Sequence, residues 1–194
     1  MLSKKTCLLV TQEEHSSCVT RQNLPLCHKK KFLLLPQGEF LLATPEDMPA
    51  VHALIVELAI YERAGDEVET TVDKLTQDGF GPNAIFELFV AEWEGMLVGM
   101  ALWYTKYSTW KGKCGFLEDL VVRDAYRGKG IGQSLFEAVA RECAERNFGR
   151  MEWQVLDWNE PAIGFCKKLG ATLDAEWLNG KFTRSGLQRF RTHP

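Results

Sequence analysis

Between Leu117 and Leu135 an apolar run ends in a glycine-rich turn that leads straight into an amphipathic helix, and this junction constrains the fold more than any other part of the chain. Leu117 to Val122 reads as a buried strand, apolar except for the adjacent acids Glu118 and Asp119. The helix is predicted from Ile131 to Arg146, with Ile131, Leu135, Val139 and Cys143 at four-residue steps along one face. A strand that feeds a helix through glycines directs successive backbone N–H groups into the bend, and the helix N-terminus adds partial positive charge. Arg127, Gly128, Lys129, Gly130, Ile131, Gly132 and Gln133 are therefore predicted to form an anion cradle whose natural occupant carries phosphate.

Two common phosphate motifs do not fit this stretch. A Walker loop requires G-x-x-x-x-G-K-[ST], and no Gly-Lys-Ser/Thr occurs at such a spacing. A dinucleotide fingerprint requires G-x-G-x-x-G, and counting from Gly128 or Gly130 puts Gln133 or Leu135 where its third glycine belongs. What is left is Arg-x-x-Gly-x-Gly, from Arg127 through Gly130 to Gly132.

The rest of the chain supplies an α+β frame. Thr44, Pro45 and Asp47 form a helix start, with Asp47 at the capping-box position, and a helix is predicted from Pro45 to Tyr61. Thr71 to Asp78 reads as a shorter helix stopped by Gly79. Phe86 to Trp93, Glu94-Gly95 and Met96 to Tyr107 form a hairpin signature. After the cradle helix, ended by Gly149, Met151 to Leu156 is a strand, Asn159 caps a helix that Gly170 stops, and Thr172–Glu176 and Trp177–Thr183 are candidate closing strands. The sum is a mixed, mostly antiparallel central sheet flanked by helices, with one β-α-β crossover.

At 194 residues and 45% hydrophobic content, one globular domain is expected over 39–194, preceded by a flexible extension over 1–38. That extension holds six Lys/Arg against two Glu, a transit-peptide composition without convincing amphipathicity, so a targeting role stays open. A net charge of -3 argues against a nucleic-acid partner, and the apolar run Phe32 to Leu35 is far below the ~20 residues that span a bilayer. Cys7, Cys18, Cys27, Cys114, Cys143 and Cys166 include no C-x-x-C pair, and the lone Cys27-His28 neighbour pair is no ligand set. No metal, no disulfide and a cytoplasmic location are expected.

The Arg127–Gly132 turn resembles the acyl-CoA pyrophosphate loop of the GNAT superfamily of N-acyltransferases. The run Trp153 to Ala171, through Asn159, Phe165-Cys166-Lys167-Lys168 and Gly170-Ala171, is similar to the strand-Asn-helix element that follows this loop in the superfamily. With Tyr61-Glu62, Asp78-Gly79-Phe80-Gly81, Tyr107-Ser108-Thr109-Trp110 and Leu117-Glu118-Asp119, the chain resembles the spermidine/spermine and thialysine acetyltransferase branch, over roughly 40 to 190. The resemblance implies the GNAT fold, acetyl-CoA as co-substrate, a small primary amine as acceptor and a homodimer. It implies that backbone groups of Leu120, Val121 and Val122 carry the pantetheine arm, with Asn159 on the cofactor side. Glu118 is implied as a general base acting through water, with Tyr61, Glu62, Trp110, Asp119 and Trp158 lining the amine side.

Two positions depart from that branch. Its polyamine enzymes carry an acid where Ser108 stands, which favours a shorter acceptor such as a diamine, thialysine or a lysine analogue. Its general acid is a Tyr where this chain has Cys166. A thiol, with an ordinary pKa of about 8.5, can protonate a leaving thiolate, and it is also a common small hydrophobe on the inner face of a helix. Two other readings therefore stay open: a non-catalytic acyl-CoA-binding module, and a protein lysine or N-terminal acetyltransferase.

Overall fold

The computed structural model describes residues 33–35 and 38–191; Cys7, Cys18, Cys27 and His28 lie outside them. Among the described residues six strands form one sheet in sequence order: β1 (Leu33–Leu35), β2 (Gly38–Leu42), β3 (Glu87–Trp93), β4 (Met96–Ser108), β5 (Gly112–Val122) and β6 (Met151–Trp153). Every neighbouring pair is antiparallel except β5 and β6, which run parallel. The crossover that parallel pairing demands is α3 (Ile131–Glu145). Among the described residues the first strand is Leu33–Leu35, which lies in the stretch expected to be an extension and pairs with Gly38–Leu42.

Two cores cover the two faces. Against one face pack α1 (Met48–Tyr61) and α2 (Val72–Phe80), which bury Val51, Leu54 and Leu75 on Leu88, Val90, Met100 and Val121. Against the other packs α3, whose Ile131, Leu135, Val139 and Cys143 meet Phe89, Trp103 and Leu117. The four-residue spacing read from the sequence is thus the stripe that faces the sheet.

Several local expectations hold with small shifts. Thr44 N–H donates to Asp47 Oδ2 at 2.7 Å, as a capping box requires, although Pro45–Asp47 is a 3-10 turn and the α-helix proper begins at Met48. The hairpin turn carries Glu94 and Gly95 at φ 51° and 78°, the left-handed pair that a two-residue loop needs. Gly79 does not stop α2, which continues to Phe80. A Cβ at Gly79 would lie 2.7 Å from the Phe86 ring, so close packing and not termination explains that glycine. Asn147, at φ 53°, closes α3 two residues before the expected Gly149.

The tail is the larger correction. Residues 172–183 form no strand, and α5 (Arg184–Gln188) follows. Their apolar side chains find no sheet face to cover: Trp177, Leu178 and Phe182 are exposed, Leu178 at 95%. A run of β-favouring residues lacking an inward-facing alternate set has nothing to fix its register.

Candidate functional site

Six successive backbone N–H groups, those of Gly128, Lys129, Gly130, Ile131, Gly132 and Gln133, have no acceptor among the described residues. The first bond of α3 is donated by Ser134 N to Gly130 O at 3.0 Å. Gly130 is the N-cap at φ 83°, Gly128 stands at φ 75°, and a Cβ on either would meet nothing within 4 Å. The backbone conformation, rather than crowding, is what requires glycine at both positions. Gly132 differs: it is helical, and its Cβ would make ordinary 3.6 Å contact with Val122. With no acid in the first turn, the helix end is an uncompensated positive terminus.

The two cations of the loop are engaged elsewhere in the fold. Arg127 Nε donates to Val122 O at 3.0 Å, its Nη1 pairs with Asp124 at 2.7 Å, and its guanidinium lies 5.4 Å from the Tyr61 ring. Lys129 sits between Trp93 and Tyr126, 4.7 and 5.4 Å from their centroids. The Gln133 amide donates to Glu137 at 2.8 Å. The atoms that the loop leaves open to an anion are therefore main-chain ones.

Behind the loop the sheet splits. β5 and β6 pair at Gly115–Met151, Phe116–Glu152 and Leu117–Trp153, and go no further. β5 continues to Val122 along β4, while residues 154–159 turn away, so β6 is shorter than the expected Met151–Leu156. A cleft of about 120 Å³ opens where the strands part, and Leu117 to Leu120 form one wall. Leu120 and Val122 turn their side chains to the α3 core and Val121 to the α1 core. Beyond Leu117 the β6-facing edge of β5 has no strand partner among the described residues.

A bulge sets the chemistry of this wall. Leu102 pairs with Asp119 and Trp103 with Leu117, which leaves Glu118 as an extra residue in β5. Phase reverses across it: Leu117 packs with the α3 core, but so do Leu120 and Val122, while Val121 lies on the α1 side with Leu102, the partner of Asp119. Simple alternation would send adjacent carboxylates to opposite faces. The bulge instead turns both toward α1, where Glu62, the C-cap of that helix, also lines the cleft.

Asp119 is the deepest of the three acids. Burial, then the charges of Glu118 and Glu62, push its carboxyl up to about 6. Burial also raises Glu62. Glu118 is exposed and accepts a hydrogen bond from Tyr104, whose phenol is raised by burial first and by Glu118 second. Among the described residues none of these carboxylates is held in a salt bridge, and they are not arranged as a metal site.

Opposite lies α4 (Glu160–Lys168). Asn159 Oδ1 accepts from Ala162 N at 3.3 Å as its N-cap and from the Tyr61 hydroxyl at 3.1 Å, which ties α1 to α4 across the cleft mouth. Tyr61 leans on Trp158 with centroids 5.9 Å apart, and Arg63 covers Trp158 at 4.9 Å. Cys166, 4% exposed, lines the cleft and accepts the Trp153 indole N–H at 3.2 Å.

Of the residues singled out from the sequence, Glu62, Glu118, Asp119, Leu120, Asn159 and Cys166 line one cleft. Tyr61 and Trp158 stand at its mouth. Trp110 does not join them: it is 80% exposed at the β4–β5 turn, beyond Ser108, and Ser108 is five strand positions, roughly 17 Å, from Trp103. Sequence reasoning missed Tyr104, Phe136, Trp153 and Phe165, because only strand register and helix packing bring them in.

Residues 53–171 match the acetyltransferase (GNAT) family. The chain belongs to that family and is an N-acetyltransferase. It is 39% identical over 126 residues to the thialysine N-epsilon-acetyltransferase of Sus scrofa, covering 61% of this chain and 74% of the relative. It is 35% identical over 151 residues to that of Mus musculus, covering 72% and 89%, and 26% identical over 200 residues to an L-ornithine N5-acetyltransferase of Arabidopsis thaliana, covering 76% and 85%. Among solved structures, an aminoglycoside acetyltransferase from a soil metagenome in complex with sisomicin superposes with a TM-score of 0.63 at 20% identity, over 75% of this chain and 95% of that one, which shows the shared fold.

Proposed function

We propose that the acceptor is a small primary amine bearing a second polar or cationic group, such as a short diamine, ornithine or thialysine, and that acetyl-CoA is the donor. The observation that carries this reading is the gathering of Glu62, Glu118 and Asp119 on one side of a cleft whose β5 wall continues along the chain into the loop of six unpartnered N–H groups. Acids without a protein cation favour an ammonium ligand, and a row of free N–H groups at a helix start suits a pyrophosphate. The names of the thialysine and ornithine relatives agree with such an acceptor.

When bound, acetyl-CoA supplies the acetyl group as a thioester. The chain's own residues then have distinct tasks. The N–H groups of Gly128 to Gln133 hold the pyrophosphate, and the free edge of Leu120 to Val122 holds the arm and polarises the carbonyl. Asp119 and Glu62 hold the ammonium, and Glu118, exposed and fixed by Tyr104, takes the proton through water so that the nitrogen lone pair can form the C–N bond. As the C–S bond breaks, the thiolate takes a proton; Cys166 lies at the wall where the branch carries a Tyr acid. Engagement of Cys166 with Trp153 favours a role for it as a small wall residue.

Thiol release from acetyl-CoA with a panel of ornithine, thialysine, putrescine, spermidine and a lysine peptide tests this reading. Turnover of the short amines above the peptide is expected. Tight CoA binding with no turnover of any amine would leave a non-catalytic module instead. The exposed apolar tail, with Trp177 and Phe182 among its side chains, supports a homodimer, and the free buried thiols Cys114, Cys143 and Cys166 support a reducing, cytoplasmic setting. A monomeric sedimentation profile at micromolar concentration would remove the dimer.

A further inference from the structure

The cleft has two chemically opposite sides, and the carboxylates occupy only one. On the α3 side its wall is Leu117, Leu120, Phe136, Trp153, Phe165 and Cys166. Phe136 meets Trp153 edge-on at 5.1 Å and 90°, and Phe165 at 5.9 Å and 84°, so the aromatic wall is locked on both flanks. The one side-chain N–H in that wall, from Trp153, is consumed by Cys166 Sγ at 3.2 Å. Among the side chains of that wall only the weak Cys166 S–H donor is left to orient a water, and an apolar recess of this kind gains most from apolar contents. Cys166, buried at the wall, is also its smallest side chain apart from Ala162.

An acetyl group offers a single methyl to this surface. The space of about 120 Å³ is several times the ~30 Å³ that one water occupies in the liquid. We infer that the aromatic side of the cleft receives the acyl chain of the donor and accommodates straight aliphatic acyl groups longer than acetyl, with Cys166 setting the depth. This rests on the reading of the cleft as the acyl-transfer site. The step itself is unchanged: the amine nitrogen bonds to the thioester carbon and gives up a proton, the C–S bond breaks, and the thiolate leaves with the electron pair and takes up a proton to give the amide and the free thiol. Only the chain beyond the carbonyl differs.

Binding and turnover separate this inference from the reading beneath it. S-ethyl-CoA and S-butyl-CoA, thioethers that cannot transfer, are titrated by calorimetry into the full chain. Acetyl-CoA and butyryl-CoA are compared as donors to ornithine and putrescine. The butyl compound is expected to bind about tenfold tighter, the worth of two buried methylenes, and butyryl-CoA to be used at a rate within tenfold of acetyl-CoA. Cys166→Tyr, which fills the recess, should reverse the preference for the butyl compound and raise the acetyl-to-butyryl ratio of kcat/KM by tenfold or more. Ala162→Leu, from the first turn of α4, should move both ratios the same way and stands in should the tyrosine variant fail to fold. Equal binding of the two thioethers, with acetyl-CoA turned over and butyryl-CoA not, overturns the inference and leaves the acetyltransferase reading intact. No turnover of either donor overturns that reading, and the thioether ratio still decides whether the recess takes an alkyl chain.

Discussion

The loop at 127–133 and the cleft behind it are the two parts of the proposed site, and they are built differently. The loop is local. Two glycines with φ above 70° and the start of α3 produce it from consecutive residues, and its binding atoms belong to the main chain. The cleft is assembled from α1, β4, β5, β6, α3 and α4, and its binding atoms are side chains brought together by a bulge and by two strands that part. A site made of backbone tolerates most side-chain changes and fails when its dihedrals are lost. A site made of side chains fails one contribution at a time.

The sharpest way to break that contrast is Gly130→Val. A β-branched residue at φ 83° carries roughly 1–3 kcal/mol of strain, and relieving it rotates the N–H groups out of the cradle. Affinity for CoA is expected to fall by about 10³-fold, or ~4 kcal/mol, by calorimetry on a protein whose circular dichroism is unchanged. Gly132→Ala should cost far less, since its Cβ meets only Val122 at 3.6 Å. Equal losses at the two positions would show that bulk in the loop matters and not its conformation.

In the cleft, Glu118→Gln should lower kcat by about 10²-fold with little change in CoA binding, the usual scale for one acid-base group. Asp119→Asn and Glu62→Gln should act mainly on the KM of the amine. Should Asp119→Asn take the large kcat loss instead, the two acids exchange roles, an outcome that the raised proton affinity of Asp119 makes worth measuring.

What the sequence could show follows the same division. The helix stripe of α3, the hairpin at Glu94-Gly95, the Thr44 capping box and the glycine turn with its open N–H groups are all written in neighbouring residues, and each is present. The side on which Glu118 and Asp119 lie was not legible, because it depends on a bulge in the pairing of β5 with β4. Gly79 suggested a stop but serves the approach of Phe86, a residue seven positions on. The β-rich composition of 172–183 suggested strands that have no partner among the described residues. Trp110 matched a motif, yet sequence proximity to Gly112 places it at the wrong end of a long hairpin.

Asp119 also titrates in a way that tests what fills the cleft. Its folded value of about 6 lies above the ordinary ~3.9 of an aspartate. The neutral form is therefore favoured in the fold, so its contribution to stability is complete below pH 4 and is lost as pH rises through 6. Asp119→Asn should raise the urea midpoint at pH 8 and leave it unchanged at pH 4. An ammonium bound within ~4–6 Å should draw the carboxyl down by about one unit or more, a tenfold change in proton affinity readable by carbon-detected NMR with and without putrescine. No movement on saturation with the amine would place the cation elsewhere.

The smallest effect belongs to Tyr104, which tests whether the cleft depends on the orientation of its acids as well as on their presence. Its ring packs on Phe116 across the β4–β5 pair with centroids 5.3 Å apart, and its hydroxyl donates to Glu118 at the bulge. An exposed glutamate on a bulge has several rotamers, and the phenol selects one of them. Removing a single hydrogen bond of this kind is worth about 1 kcal/mol, so Tyr104→Phe should lower kcat by about fivefold and leave the stacking, the stability and the KM for acetyl-CoA as they are. A fall in kcat accompanied by lost stability would mean the phenol acts on the strand and not on the acid, and a variant with the parent's rate would show that the bulge alone holds Glu118 in place.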